Sequence, residues 1–223
     1  KSIFNNINKI IYGMLIAIFT IGISTIAVLN SKFIYYYSID KYGLDKLGNI
    51  SKEMLIKDYS ILIRYLQNPF IDKLNFNNFT MSVNGEIHFY EVKKIFLSIY
   101  LITICIGLFF ALSFIIKKFK GKKINLYKKL NYGANTLLVI IISLLSAMFI
   151  DFSKAFVIFH KIFFNNDYWI FDERTDPIIK VLPEEVFMLY ALIIVALVII
   201  AVIVYKLYYY YIKKKTKEKD ISN

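Results

Sequence analysis

The chain has 223 residues, 58% of them hydrophobic and 17% aromatic, yet its formal net charge is +12. An ordinary soluble domain is about 45–50% apolar, so a single soluble core cannot absorb this much apolar side chain. A chain both greasier and more basic than average must hold its charge away from its grease, and the placement of the 28 Lys+Arg and 16 Asp+Glu therefore decides the fold class.

Four stretches carry no charge at all: residues 10–29, 95–116, 130–150 and 186–205. Each reaches the roughly 20 residues needed to cross about 30 Å of hydrocarbon as an α-helix. The sequence thus predicts an all-α, polytopic membrane protein with four transmembrane helices and two helical or irregular extracytoplasmic segments, forming one integral membrane domain over 1–223. The first stretch reads as an anchor: it exceeds the 7–15 apolar residues of a signal peptide, and no A-x-A site follows it. Asn131 and Asn135 make the start of the third stretch its most polar part.

Lysine placement predicts the orientation. The loop 117–129 has seven lysines and no acid, and the tail 206–223 has six lysines against Glu218 and Asp220. Lys1 and Lys9 precede the first span. By contrast, segment 30–94 has nine basic and seven acidic residues, and segment 151–185 has four basic and seven acidic. Both termini and the short loop are therefore expected to be cytoplasmic, with 30–94 and 151–185 outside. The basic surplus reads as a topology signal with attraction to anionic lipid headgroups, and no nucleic acid is expected as a partner. The single cysteine, Cys105, falls within the second span and can form no internal disulfide.

In the first outer segment, Leu55, Tyr59, Leu62 and Leu66 recur at helical spacing until Pro69 stops the pattern. This reads as an amphipathic helix, lying on the outer bilayer surface or capping the bundle. Asn84 is placed to cap a helix starting near Glu86 and running into the second span. His88 then lies seven residues before Ile95, on the order of 10 Å outside the membrane edge.

The second outer segment carries the only tryptophan, Trp169, and a flank of Phe152, Phe156, Phe159 and Phe163. Trp and Tyr favour the membrane–water interface, so an interfacial element is expected. Asp176-Pro177 and Leu182-Pro183 mark boundaries. Pro183 followed by Glu184 and Glu185 suits the first turn of the fourth helix, where negative charge meets the positive helix end.

His88 and His160 are the only histidines. A lone histidine usually packs or hydrogen-bonds, but His160 has company: Asp167, Asp172 and Asp176 as orienting acids, and Asn165, Asn166, Tyr168 and Trp169 as donors. That is the inventory of a general base with carboxylate support and oxyanion donors. Metal-ligand spacing, a G-x-S-x-G elbow and a Gly-rich phosphate loop are all missing from the sequence, so neither a metal nor a cofactor is expected.

The run His160-x-x-Phe163-Phe164-x-x-Asp167-x-Trp169, with Asp176-x-Ile178-Ile179 and Leu182-Pro183-Glu184-x-x-Phe187, resembles the lipoprotein intramolecular transacylase family (Lit) of Gram-positive-type bacteria. Upstream, Glu86-x-His88-x-x-Glu91-Val92-Lys93 is similar to that family's other motif, with Glu91 where the family has Asp. The resemblance covers essentially the whole chain. It implies a diacylglyceryl-modified lipoprotein as substrate in the bacterial cell membrane, amid membrane lipids, and transfer of the glycerol sn-2 acyl chain onto the α-amine of the same cysteine. It further implies His160 as general base, with His88 as a partner. Asp167 and Asp176 are expected as orienting or ammonium-binding carboxylates, and Glu86 and Glu184 as polar members of the site. For Glu184 a helix-start role is equally open. Trp169 is expected as an interface anchor or pocket wall, and the phenylalanine flank as the lining of an acyl groove.

Donor ester and acceptor amine would share one molecule, so no acyl-enzyme nucleophile is required. Two alternatives stay open at this stage. One is a lipid hydrolase or intermolecular acyltransferase at the outer leaflet, and the other is a non-enzymatic assembly or sensor protein. A transporter is disfavoured, because no span carries a charge to mark a path.

Overall fold

The computed structural model describes residues 2–121 and 125–221, with side chains from 8 to 121 and from 125 to 218. Lys1, Lys122 and Lys123, which count toward the predicted orientation, lie outside the described residues, as do the side chains of Lys219 and Asp220. The elements are α1 (Ser2–Asn30), α2 (Phe33–Tyr42), α3 (Leu44–Gly48), α4 (Lys52–Gln67), α5 (Val83–Phe119), α6 (Leu126–Ile150), α7 (Phe152–Phe163), a 3₁₀ turn (Pro177–Val181) and α8 (Glu184–Ile221). Among the described residues there is no strand. Among the described residues, four helices are long and apolar enough to cross a membrane: Asn8–Asn30, Val83–Phe119, Leu126–Ile150 and Glu184–Glu218. The all-α, four-span class holds.

Local chemistry sets the helix ends. Ser51 caps α4, its hydroxyl accepting the Met54 N–H at 3.3 Å, and the helix ends at Gln67, two residues before Pro69. Asp151 caps α7 in the same way, accepting the Lys154 N–H at 2.9 Å. At α5 the cap differs from expectation. Ser82, not Asn84, precedes the first turn, and its hydroxyl accepts the Gly85 N–H at 3.0 Å. The helix therefore begins at Val83, three residues before Glu86. At 1.5 Å per residue the 37 residues of α5 run about 55 Å, far more than the roughly 30 Å of a hydrocarbon layer. Its polar first turns, which carry His88, precede the uncharged stretch 95–116.

The chain divides into two compact units. The first comprises 1–25, 101–146 and 194–223. Its core is Ala17 from α1, Ala134, Leu137 and Ile141 from α6, and Val195, Val198 and Val202 from α8. Small residues let the helices approach closely, since a Cβ at Gly133 would run into Ile16 and one at Gly22 into Thr103. The asparagines that looked out of place in the third span have a partner: the Lys206 ammonium donates to Asn131 Oδ1 at 2.9 Å and to Asn135 Oδ1 at 2.6 Å. Leu101, Leu108 and Leu112 of α5 stay exposed, as suits a surface facing lipid.

The second unit comprises 26–100 and 147–193. The predicted stripe of α4 is buried here. Leu55, Tyr59, Leu62 and Leu66 join Tyr35, Ile39, Leu44, Leu74, Phe89, Val181 and Val186 in one core. Each large apolar side chain so buried contributes about 1.5–3 kcal/mol. Tyr35 stacks on Tyr59 at 3.9 Å, the Tyr35 hydroxyl donates to the Val181 carbonyl at 3.0 Å, and the Tyr59 and Tyr190 hydroxyls meet at 2.6 Å. Two buried charges tie down the connection between α4 and α5. Asp58 accepts from Asn77 N, Asn78 N and Asn78 Nδ2 at 2.8, 3.1 and 2.9 Å. Lys93 donates to the Ile71 carbonyl at 2.5 Å and lies 4.6 Å over the Tyr65 ring. Gly43, at φ +63, joins α2 to α3 in the left-handed conformation that glycine adopts without cost.

Candidate active site

Helix α5 contributes His88 and helix α7 contributes His160, both within the second unit. The two rings lie 6.0 Å apart, and each residue is buried, with 7% and 8% of its surface exposed. Sequence reasoning left open whether the histidines meet, and the fold brings them together. Aromatic rings enclose the pair. Phe164 sits 4.7 Å from His88 and 5.6 Å from His160, Phe171 is 5.4 Å from His88, and Trp169 stacks on His160 at 4.7 Å. Phe156 lies 4.2 Å from His160.

The His160 tautomer follows from its one hydrogen bond. Nδ1 lies 2.7 Å from the carbonyl oxygen of Phe156, one helical turn earlier. A carbonyl can only accept, so Nδ1 carries the hydrogen and Nε2 keeps its lone pair. Burial pushes the His160 imidazole below its ordinary range, opposed by that hydrogen bond and by the charge of Glu184. His88, in the polar first turns of α5, is pushed down to about 4, by burial first and then by the neighbouring His160. Both rings are therefore neutral near pH 7. The His88 Nδ1 is buried and has no hydrogen-bond partner, and the same holds for Trp169 Nε1.

The predicted acids take up different places. Glu184 stands in the first turn of α8, accepts the Ser153 hydroxyl at 2.5 Å, and is the carboxylate whose field reaches His160. Asp176 is buried, but both of its oxygens are occupied by the protein: one accepts the Ser82 N–H at 2.8 Å and the other the Thr175 hydroxyl at 2.8 Å. A Cβ at Gly85 would run into the same carboxylate, so Asp176 sits directly against the start of α5. Glu86 faces Lys73 in a half-exposed pair at 3.3 Å. Two positions separate it from His88, which places the two on different helix faces. Asp167 is exposed and its side chain bonds to neither imidazole. Asp172 is held by Arg174 at 2.6 Å, and that guanidinium keeps its carboxyl down at about 2.

One polar pair escaped the sequence reading as a unit. Asn166 Nδ2 donates to both oxygens of Glu91, at 3.0 and 3.2 Å. Glu91 follows His88 by three residues and so shares its face of α5, which was the available signal. Phe171 had no local signal at all; it reaches His88 only through the packing of the 164–176 connection. The phenylalanine flank of α7 splits in two. Phe156 turns inward against His160 and Phe187, while Phe159 and Phe163 pack on each other and remain about half exposed. Among the described residues no group of three or more His, Cys, Asp or Glu is placed to hold a metal ion.

A helical membrane protein with two neutral, facing imidazoles inside an aromatic enclosure is equipped for proton transfer on an apolar substrate. Comparison with known proteins names the class. The family described as Lipoprotein intramolecular transacylase Lit matches residues 10–187. The membrane-integral lipoprotein intramolecular transacylase Lit of Bacillus cereus, solved in meso, is 32% identical, with a TM-score of 0.86 over 98% of this chain and 100% of that one. Two structures of that protein with a histidine replaced, by arginine and by alanine, are each 33% identical at a TM-score of 0.80, covering 97% of this chain and 96% and 97% of theirs. Comparison with curated proteins gave no match. The chain belongs to the lipoprotein intramolecular transacylase family. It is an enzyme, an acyltransferase, and the sensor or assembly reading falls away.

Proposed function

We propose that the protein moves the sn-2 acyl chain of an S-diacylglyceryl-cysteine onto the α-amino group of the same cysteine, giving an N-acyl, lyso-form lipoprotein without an acyl-enzyme. The observation that carries this is His160, whose Nδ1 is committed to the Phe156 carbonyl so that Nε2 is bare within the aromatic enclosure. In the proposed reaction Nε2 takes the amine proton as nitrogen attacks the ester carbonyl. The same imidazole returns that proton to the departing glycerol oxygen. An imidazole below its ordinary range is neutral at pH 7 and ready for the first step.

The rest of the barrier is met by positioning. Holding amine and ester of one molecule in attack geometry can supply about 7–11 kcal/mol. The aromatic walls from Phe164, Phe171 and Trp169 suit that confinement. His88 orients the substrate and polarises it as a neutral imidazole. Glu91 with Asn166, together with Glu184, supplies the negative side that receives an α-ammonium. Asp167 is left to the rim. Phe159 and Phe163, half exposed beside the site, line the approach of the acyl chains. The lysine distribution supports both termini on the cytoplasmic side of a bacterial cell membrane, with the site at the outer face.

The test is mass spectrometry of a synthetic diacylglyceryl lipopeptide after incubation with the purified protein. The wild-type chain converts it to the N-acyl lyso form, and folded His160→Ala does not. Release of free fatty acid to water, or label crossing between two differently labelled lipopeptides, would replace this reading with a hydrolase or an intermolecular acyltransferase.

A further inference from the structure

Acyl transfer through a tetrahedral intermediate places negative charge on the former carbonyl oxygen, and that charge needs hydrogen-bond donors. The donors around the histidines are mostly engaged. Asn166 Nδ2 donates to Glu91, His160 Nδ1 donates to Phe156, and the Ser153 hydroxyl donates to Glu184. Among the described residues, three buried side-chain polar atoms lack a partner: His88 Nδ1, Thr103 Oγ1 and Trp169 Nε1. Two of the three belong to rings that contact His160, at 6.0 Å for His88 and 4.7 Å for Trp169.

Trp169 differs from His88 in one chemical respect. A neutral imidazole nitrogen either donates or accepts, according to tautomer, whereas an indole N–H can only donate. A buried, unmatched donor costs roughly 1–3 kcal/mol, and native structures hold few of them without a reason. The Trp169 ring stacks on His160 at 4.7 Å, which sets the indole beside the base.

We infer that, of the donors the sequence offered beside His160, the Trp169 indole N–H is the one that serves the oxyanion. This rests on the transacylase reading above. As the amine nitrogen bonds to the ester carbon, the carbonyl electron pair moves onto oxygen, and Nε1–H of Trp169 hydrogen-bonds that oxyanion. His160 Nε2 holds the proton lost by nitrogen. When the pair returns to re-form C=O, the bond from carbon to the glycerol oxygen breaks and that oxygen takes the proton from His160. One amide has formed, one ester has broken, and no group remains on the protein.

The chain's single tryptophan permits a one-atom test. Expression in a tryptophan auxotroph supplied with 3-benzothienylalanine replaces the N–H of Trp169, and of no other residue, with sulfur while keeping shape and stacking. Removing one oxyanion donor lowers kcat about 10²–10³-fold. The expected result is a loss of that size in both the analogue protein and Trp169→Phe, with KM changed less than about threefold. A loss below about tenfold in the analogue protein overturns the inference, whatever Trp169→Phe does to folding. A rise in KM with kcat kept would likewise overturn it, showing Trp169 to be a wall that binds substrate. Absence of N-acyl product from the wild-type chain would instead overturn the transacylase reading, and this inference with it.

Discussion

Replacing Asp176 by asparagine and by alanine separates two roles for a carboxylate that the sequence marked for substrate. Its oxygens accept the Ser82 N–H and the Thr175 hydroxyl, each at 2.8 Å, at the start of the helix that carries His88. Asparagine keeps an acceptor for Ser82, and the Thr175 hydroxyl can turn to accept from the new amide. Asp176→Asn should therefore cost about 1 kcal/mol, the size of one weakened hydrogen bond. Alanine removes both acceptors. Thr175 retains the Asp172 carbonyl at 3.3 Å, but Ser82 N–H keeps no acceptor and α5 loses a negative charge at its N-terminus.

The sum for Asp176→Ala is about 2–4 kcal/mol, from one charged hydrogen bond and one cap. In a chain of this size that lowers the thermal midpoint by on the order of 5–15 °C. His88 stands one turn beyond Gly85, so kcat should fall as the first turns of α5 loosen. The assay is thermal unfolding in detergent beside lipopeptide turnover. If Asp176→Asn stays folded but loses activity through a raised KM, the negative charge serves the substrate and the capping argument fails. An unchanged midpoint for Asp176→Ala would refute it as well.

Two other outcomes follow from the same geometry. Both imidazoles sit below their ordinary range when folded, so between pH 6.5 and about 4 the unfolded chain takes up protons that the folded chain refuses. Stability should be complete above pH 6.5 and decline as pH falls toward 4; His88→Phe should flatten that decline, and an equal slope in the variant would show that His88 is not its source. Gly133→Leu should destabilise the first unit by about 1–3 kcal/mol or more, because Ile16 of α1 occupies the space a side chain would need. An unaltered unfolding midpoint would mean that α1 and α6 do not pack this closely.

Much of the fold was legible because the signals are one-dimensional. Four uncharged stretches near 20 residues can satisfy their backbone only as helices in hydrocarbon, and the structure has four such helices. The α4 stripe was legible because Leu55, Tyr59, Leu62 and Leu66 repeat at the helical period. The α5 cap was misread because Asn84 and Ser82 are both good capping residues. Asp176, distant in sequence, accepts the Ser82 backbone and favours Ser82 as the first residue.

The sequence by itself determined that this chain spans a membrane, carries a lysine-marked orientation signal and owns only two histidines with which to do chemistry. Motif resemblance added the family, through residues whose order along the chain is sufficient to recognise it. Tertiary structure alone decided that His88 and His160 face each other at 6.0 Å, because 72 positions separate them and no local period connects α5 to α7. It also sorted the acids. Glu184 lies within electrostatic reach of His160, Glu91 engages Asn166, and Asp176 holds a helix end. An aspartate's chemistry is the same at every position in a sequence; the donors that fold against it determine its role.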